Sequence, residues 1–255
     1  MVEPWPVPER TLEPPLNQDA LLATFFETLV NGDRAAARTI VQDTINRGVA
    51  TETLINNLFF PVYEKIETLF RADQITTVSY NLATRLLRTL IDQAAARLHV
   101  PAVKTKTIFA VCGQSQSEEL AAQMAVDLLE AGGCQVTFSG GGIPADEVLA
   151  QVHERRPDVL LMFASAASDL PDVREIIDQI REIGAVKRTQ IVVGGGVFNR
   201  AEGLAEEIHC DLWAASPLEL VEVILSGKMK NYKPAVSGTI AKIGVKTKTD
   251  RRAAA

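Results

Sequence analysis

"TIFAVCGQSQSEELAAQMAVDLLEAG", residues 107–132, decides the fold. A short apolar run stops at Gly113, and apolar side chains at helical spacing follow almost at once. That is a strand, a tight turn and a helix. The same order recurs downstream. "CQVTFSG" (134–140) precedes "PADEVLAQVHERR" (144–156), and "DVLLMFAS" (158–165) precedes "LPDVREIIDQIREIG" (170–184). "QIVVGGG" (190–196) precedes "AEGLAEEIH" (201–209), and the weak strand "DLWAAS" (211–216) precedes "PLELVEVILSG" (217–227). Apolar strands alternating with amphipathic helices predict a parallel sheet covered on both faces. Right-handed crossovers make it a flavodoxin-like (βα)5 doubly wound sandwich over 105–227, with ligands expected at the carboxyl ends of the strands.

Upstream the grammar differs. "DALLATFFETLVNG", "DRAAARTIVQDTINRG", "TETLINNLFFPVYEKIETLFRAD" and "TTVSYNLATRLLRTLIDQAAARLH" each space apolar residues as helices do. Short connections between them predict an antiparallel four-helix bundle over 18–100. Thr51 is expected to cap the third helix, and Pro61 to kink it. "VPAVKTK" (100–106) reads as a linker. The fold class is therefore α + α/β. Residues 1–17 hold five prolines and read as an extended arm. Residues 228–255 carry eight Lys/Arg and one acid, and read as a basic tail that is solvated or contacts a partner.

Composition is that of a soluble globular protein, with 47% hydrophobic and 23% charged residues, which leaves room for a sizeable core. A net charge of −6 argues against direct nucleic-acid binding. Cys112, Cys134 and Cys210 are widely spaced, so neither a zinc site nor a disulfide framework is indicated. The start of the chain lacks the apolar core of a signal peptide, and no apolar stretch is long enough to span a membrane. The expected location is the cytoplasm.

Four loops share the binding edge: "GQSQSEE" (113–119), "SGGGIP" (139–144), "ASAASDLP" (164–171) and "GGGVFN" (194–199). Small residues let a ligand approach the backbone, and helix N-termini favour anionic groups. The loops match neither GxxxxGK[ST] nor GxGxxG, so ordinary nucleotide binding is poorly supported. A phosphorylated receiver needs an Asp at a strand end. Asp169 and Asp172 fall later and read as helix caps.

A bundle followed by a (βα)5 domain with glycines in these places resembles the cobalamin-binding module. That module occurs in corrinoid methyl-transfer proteins, cobalamin-dependent methionine synthase and light-sensing regulators. The resemblance covers about residues 20–227. It is carried by "NGDRAAARTIVQDTINRGVATETLINNLFFPVYEKIETLFRADQIT" in the bundle and "QIVVGGGVFNRAEGLAEEIHCDLWAAS" in the sheet domain. It implies a ligand cleft lined by Phe70, Tyr80 and Asn81 from the bundle. From the sheet domain it implies Gly113, Gln114, Ser115, Gln116, Gly140, Gly141, Ser165, Gly194, Gly195 and Gly196.

The family motif D-x-H-x-x-G is altered. Gln114 stands for its Asp, Gln116 for the cobalt-binding His and Glu119 for its Gly. A neutral amide is a poor cobalt ligand beside imidazole, and Glu119 is expected to intrude on the cofactor's nucleotide tail. The family's Trp is matched by Phe70, and its Glu-His pair by Tyr80 and Asn81. Its usual Gly-Ala-Asp is His209-Cys210-Asp211 here.

Cys112 ends the first strand, where a thiol could tether a ligand or simply be buried. His99, His153 and His209 are not clustered and none reads as a metal ligand; His209 is the candidate nearest a bound tail. These features point to a non-catalytic sensor or regulatory protein related to cobalamin-binding photoreceptors. It would hold cobalamin or another tetrapyrrole-like ligand between bundle and sandwich, without a histidine on the cobalt, and signal through a protein partner. A corrinoid carrier for a methyltransferase and a ligand-free interaction scaffold are the alternatives. The family's sensing members associate, which leaves a homo-oligomer open.

Overall fold

The computed structural model describes residues 18–102, 104–114, 116–184 and 188–226. The proline-rich arm at 1–17, the basic tail at 228–255 and Ser115 lie outside these residues. So does the side chain of Gln116.

The bundle is built from α1 (Gln18–Val30), α2 (Arg34–Asn46), α3 (Thr51–Leu54), α4 (Phe60–Arg71) and α5 (Thr77–Ala95). Asp33 accepts from the Ala36 amide and Thr76 from the Ser79 amide, so side chains answer the orphan N–H groups that open α2 and α5. Thr51 is not the cap expected of it. It is the first helical residue, and Ala50 stands before it without a side-chain bond.

Pro61 does what a proline inside a helix must. It has no N–H for the carbonyl of Asn57, so the ladder widens into a π turn over Ile55–Phe59, with the Phe60 amide donating to Ile55. The Gln18 side chain donates to the freed Asn57 carbonyl at 3.4 Å.

The second half holds β1 (Thr107–Cys112), β2 (Gln135–Gly141), β3 (Val159–Phe163), β4 (Gln190–Gly194) and β5 (Leu212–Ala214). All pairings are parallel, in the order β2-β1-β3-β4-β5. This is the doubly wound order, with its switch point between β1 and β3. α6 (Gln116–Ala131) and α11 (Pro217–Ser226) cover one face. The other is covered by α7 (Ala145–Arg155), α8 (Leu170–Ile183), α9 (Gly196–Arg200) and α10 (Leu204–Glu207). Of the helix expected at 201–209 only α10 forms, and α9, which starts within the glycine run, precedes it.

α6 joins the halves. Ala122, Ala125, Val126 and Leu129 pack on the sheet, whereas Leu120, Met124 and Leu128 belong to the same core as Leu86, Leu87 and Leu90 of α5. The apolar pattern of α6 therefore serves two surfaces. This packing sets α4 over the carboxyl edge of the sheet.

Candidate functional site

A cavity of about 410 Å³ lies between α4 and the carboxyl ends of β3, β4 and β5. The bundle contributes Phe60, Tyr63, Glu64, Glu67, Thr68 and Arg71. The sheet edge contributes Ser165 after β3, Gly194–Gly196 after β4, and Ala215 and Ser216 after β5, with Asn199 and Arg200 from α9. Ala121 and Ala125 of α6 and Leu220 of α11 wall the interior. Small side chains on α6 and β5 leave this space empty.

The glycine floor is forced by packing. Gly195 has φ +108°, and a Cβ there would collide with the carbonyl of Ala164. Its backbone therefore lies bare to the cavity. Gly141 is required for a different reason: a Cβ on it would strike the carbonyl of Gly113, where β2 closes on the turn after β1.

Of the expected site residues, Ser165, Gly194, Gly195 and Gly196 line the cavity. Phe70 and Tyr80 lie behind its wall. Their rings stack at 3.9 Å, and the Tyr80 hydroxyl donates to Glu67 Oε1 at 2.6 Å. They hold a lining residue rather than line. Arg71 takes the other carboxylate oxygen of Glu67 at 3.3 Å. Asn81 and Gln114 are exposed, and Gly140 sits near Glu119. None of Asn81, Gly113, Gln114, Gly140 and Gly141 lines the cavity.

The mouth after β1 is filled from within. Glu118, 3% exposed, turns its carboxylate onto the amides of Ser165 at 2.7 Å and Ala166 at 3.1 Å. Asp169 accepts from the same Ala166 amide at 3.0 Å. Glu119, the residue expected to intrude, instead reaches Arg88 of α5 at 3.4 Å. One residue along a helix is a rotation of about 100°, so the neighbour enters the mouth in its place.

Cys112 is a poor tether. Burial, then the nearby Glu119 and Glu118 carboxylates, pushes its thiol up to about 12, so the nucleophilic thiolate is scarce. Burial also raises Glu64 on the cavity wall. Arg200 is lowered by desolvation first and by Arg71 second.

The donor set bears on a corrinoid as follows. His99, His153 and His209 are exposed and away from the cavity. His209, the candidate nearest a tail, holds a left-handed turn at φ 61° after α10. No group of three or more His, Cys, Asp or Glu among the described residues is placed to hold a metal ion. The glycine floor and polar rim suit a flat, amide-rich ligand, but these side chains offer the cobalt no imidazole. A volume of 410 Å³ lies in the lower part of the range for drug-sized ligands, so with α4 in place it has room for only part of a molecule as large as a corrinoid.

Two family models, each described as a B12 binding domain, match residues 106–222 and 21–94. Together they span the sheet domain and the bundle. The chain belongs to the B12-binding domain family, as its resemblance implied. It is 19% identical to the trimethylamine corrinoid protein of Methanosarcina barkeri over 208 residues, 80% of this chain and 95% of that one. Its structure is similar to that of the monomethylamine corrinoid protein of the same organism. There the identity is 14%, the match covers 83% of this chain and 100% of the other, and the TM-score is 0.71, a likeness of fold. A cobalamin-binding protein from Desulfitobacterium hafniense is 18% identical, with a match that covers 82% of this chain and 98% of that one at a TM-score of 0.46. No helix among the described residues is long and apolar enough to cross a membrane.

Proposed function

We propose that this chain is a corrinoid carrier: a non-catalytic protein that holds a corrinoid between bundle and sheet edge and presents it to a methyltransferase partner. The observation that carries this reading is the glycine-floored cavity between α4 and the ends of β3–β5, in a chain of the B12-binding family. Its relatives being methylamine corrinoid proteins supports the carrier over the sensor first expected, for which those relatives offer no support.

When bound, the corrinoid supplies a cobalt centre able to accept and release a methyl group. The residues of this chain bind and orient. Gly194–Gly196 admit the ring or its tail to backbone contact, and Ser165 and Asn199 offer hydrogen bonds to amide side arms. The apolar wall of Ala121, Ala125 and Leu220 excludes water from whatever part enters. None of His99, His153 and His209 lines the cavity, so a corrinoid held there would gain no imidazole from this chain.

The test is to express the protein with a tagged methyltransferase of its own organism, isolate the pair, and follow methyl transfer from a methylamine to reduced corrinoid on the complex. Methylated corrinoid that depends on both proteins is expected. Loaded protein that neither accepts a methyl group nor co-purifies with a methyltransferase overturns the carrier reading.

A further inference from the structure

The cavity carries a charge arrangement that packing alone does not call for. Arg71 ends α4 on the bundle side, and Arg200 ends α9 on the sheet side. Both line the same space. Arg71 binds Glu67 through Nη1 at 3.3 Å and reaches Thr68 through Nη2 at 3.4 Å. Arg200 donates to the carbonyl of Ser165, and among the described residues it has no carboxylate within ion-pair distance. A guanidinium has five N–H donors in a planar fork, so each arginine keeps donors to spare. Two like charges facing one partly desolvated space repel: desolvation first and Arg71 second depress Arg200, while Glu67, Tyr63 and Glu118 work the other way. An anion between them would turn that repulsion into attraction.

The alternative anion receptor at this edge is closed. Glu118 already satisfies the amides of Ser165 and Ala166, with Asp169 sharing the second. An anionic ligand approaching there meets buried negative charge. Positive charge in this cleft is thus found on the arginines, beside the carboxylates of Glu64 and Glu67, and not at the turn after β1.

We propose that Arg71 and Arg200 form a two-sided clamp for a phosphate-class oxyanion, one jaw on each half of the molecule. This rests on the assignment of the cleft as a ligand site and deepens it. The oxyanion is either the phosphodiester of a corrinoid's nucleotide loop or a free phosphate compound, and occupancy draws α4 onto the sheet edge.

The experiment uses the full chain as wild type, Arg200→Gln and Arg71→Gln. Arg200 is exposed and its one side-chain hydrogen bond among the described residues goes to the carbonyl of Ser165, so its variant is expected to keep the fold, and circular dichroism checks both. Two corrinoid probes are bound by ultrafiltration. Hydroxocobalamin carries the phosphodiester; diaquacobinamide has the same ring and lacks the nucleotide loop. Inorganic phosphate is titrated separately by thermal shift.

The clamp predicts that wild type holds hydroxocobalamin about tenfold tighter than diaquacobinamide, the scale of a charge-assisted bond. Either substitution should erase that preference, lowering hydroxocobalamin affinity about tenfold more than diaquacobinamide affinity. If the source is a free compound, inorganic phosphate raises the wild-type melting temperature and fails to raise that of Arg200→Gln, whichever way the corrinoids behave. That result with no corrinoid binding keeps the clamp and removes the corrinoid reading. Equal affinity for both corrinoids in all three proteins, with no response to phosphate, overturns the clamp and leaves the corrinoid reading standing. Failure of both corrinoids and of phosphate overturns both.

Discussion

Asp127 provides a direct test of the packing between bundle and sheet. It lies on α6, is 7% exposed, and accepts from Gln123 at 2.7 Å through Oδ1. Its Oδ2 is buried without a hydrogen-bond partner among the described residues. Burial first, with Glu130 and Asp92 adding, raises its pKa from 3.8 to about 6, although the Gln123 bond works the other way. A carboxyl raised in the folded state holds its proton there more tightly than in the unfolded chain. Below about pH 4 both states are protonated and there is no cost. Stability then falls as pH rises through the folded value near 6, and stays lower above it. A rise of about two units corresponds to about 3 kcal/mol, at 1.4 kcal/mol per unit.

Asp127→Asn removes the charge and keeps an acceptor for Gln123, but it buries an amide N–H₂ where Oδ2 had no partner. That costs about 1 kcal/mol or more. The expected net gain at pH 8 is therefore about 1–2 kcal/mol, a melting shift of about 2–8 °C for a chain of this size. Urea unfolding followed by far-UV circular dichroism at pH 4.5 and pH 8 measures it. The gain should be present at pH 8 and shrink or reverse at pH 4.5. A variant less stable at pH 8, or a difference that ignores pH, refutes the reasoning.

Other expectations concern the sheet edge. Gly195→Ala combines an unfavourable φ with a backbone collision, and should cost about 2–3 kcal/mol or more, read by urea unfolding. A neutral result would mean that the turn after β4 relaxes freely. Glu118→Ala strands the amides of Ser165 and Ala166 and should destabilise by about 2–3 kcal/mol, whereas Glu118→Gln keeps an acceptor and should lose less than half of that. Equal losses would show that shape rather than hydrogen bonding matters there. Folded protein at pH 8 should react with iodoacetamide at Cys112 and Cys210 at least tenfold more slowly than unfolded protein, because burial raises both thiols to about 12. Rapid labelling of Cys112 would restore it as a tether candidate.

The fold was legible because its signals are local. Buried parallel strands write themselves as short apolar runs, and each glycine loop marks where a strand ends. The doubly wound sandwich was expected from right-handed crossovers, and the structure gives its strand order as β2-β1-β3-β4-β5. The π turn was half legible: Pro61 announced a break, but that Gln18 would answer the freed carbonyl depends on how α1 packs. The site was less legible. Ser165 and Gly194–Gly196 could be found because small residues at strand ends have a direct structural meaning. Glu67, Arg71 and Arg200 could not, since charged residues in helices ordinarily read as solvated faces. Only the docking of α4 over the sheet brings them to one cavity. Counting along the motif pointed to Glu119 as the intruder. The helical phase, fixed by Leu120 and Met124 entering the bundle core, turned Glu118 inward instead. Phe70 and Tyr80 were expected to line the cleft, but their contact is with each other and, for Tyr80, with Glu67.

The central claim is that the cavity between α4 and the sheet edge holds a corrinoid. The most direct measurement is the absorption spectrum of purified protein after incubation with hydroxocobalamin and desalting, beside Ala215→Phe, which places a ring into the cavity. The account predicts near-stoichiometric corrinoid bands on wild type, without the shift that a protein imidazole on cobalt would cause, and bands greatly reduced on the variant. A wild-type protein that emerges colourless, or a variant that retains as much corrinoid as wild type, would contradict it.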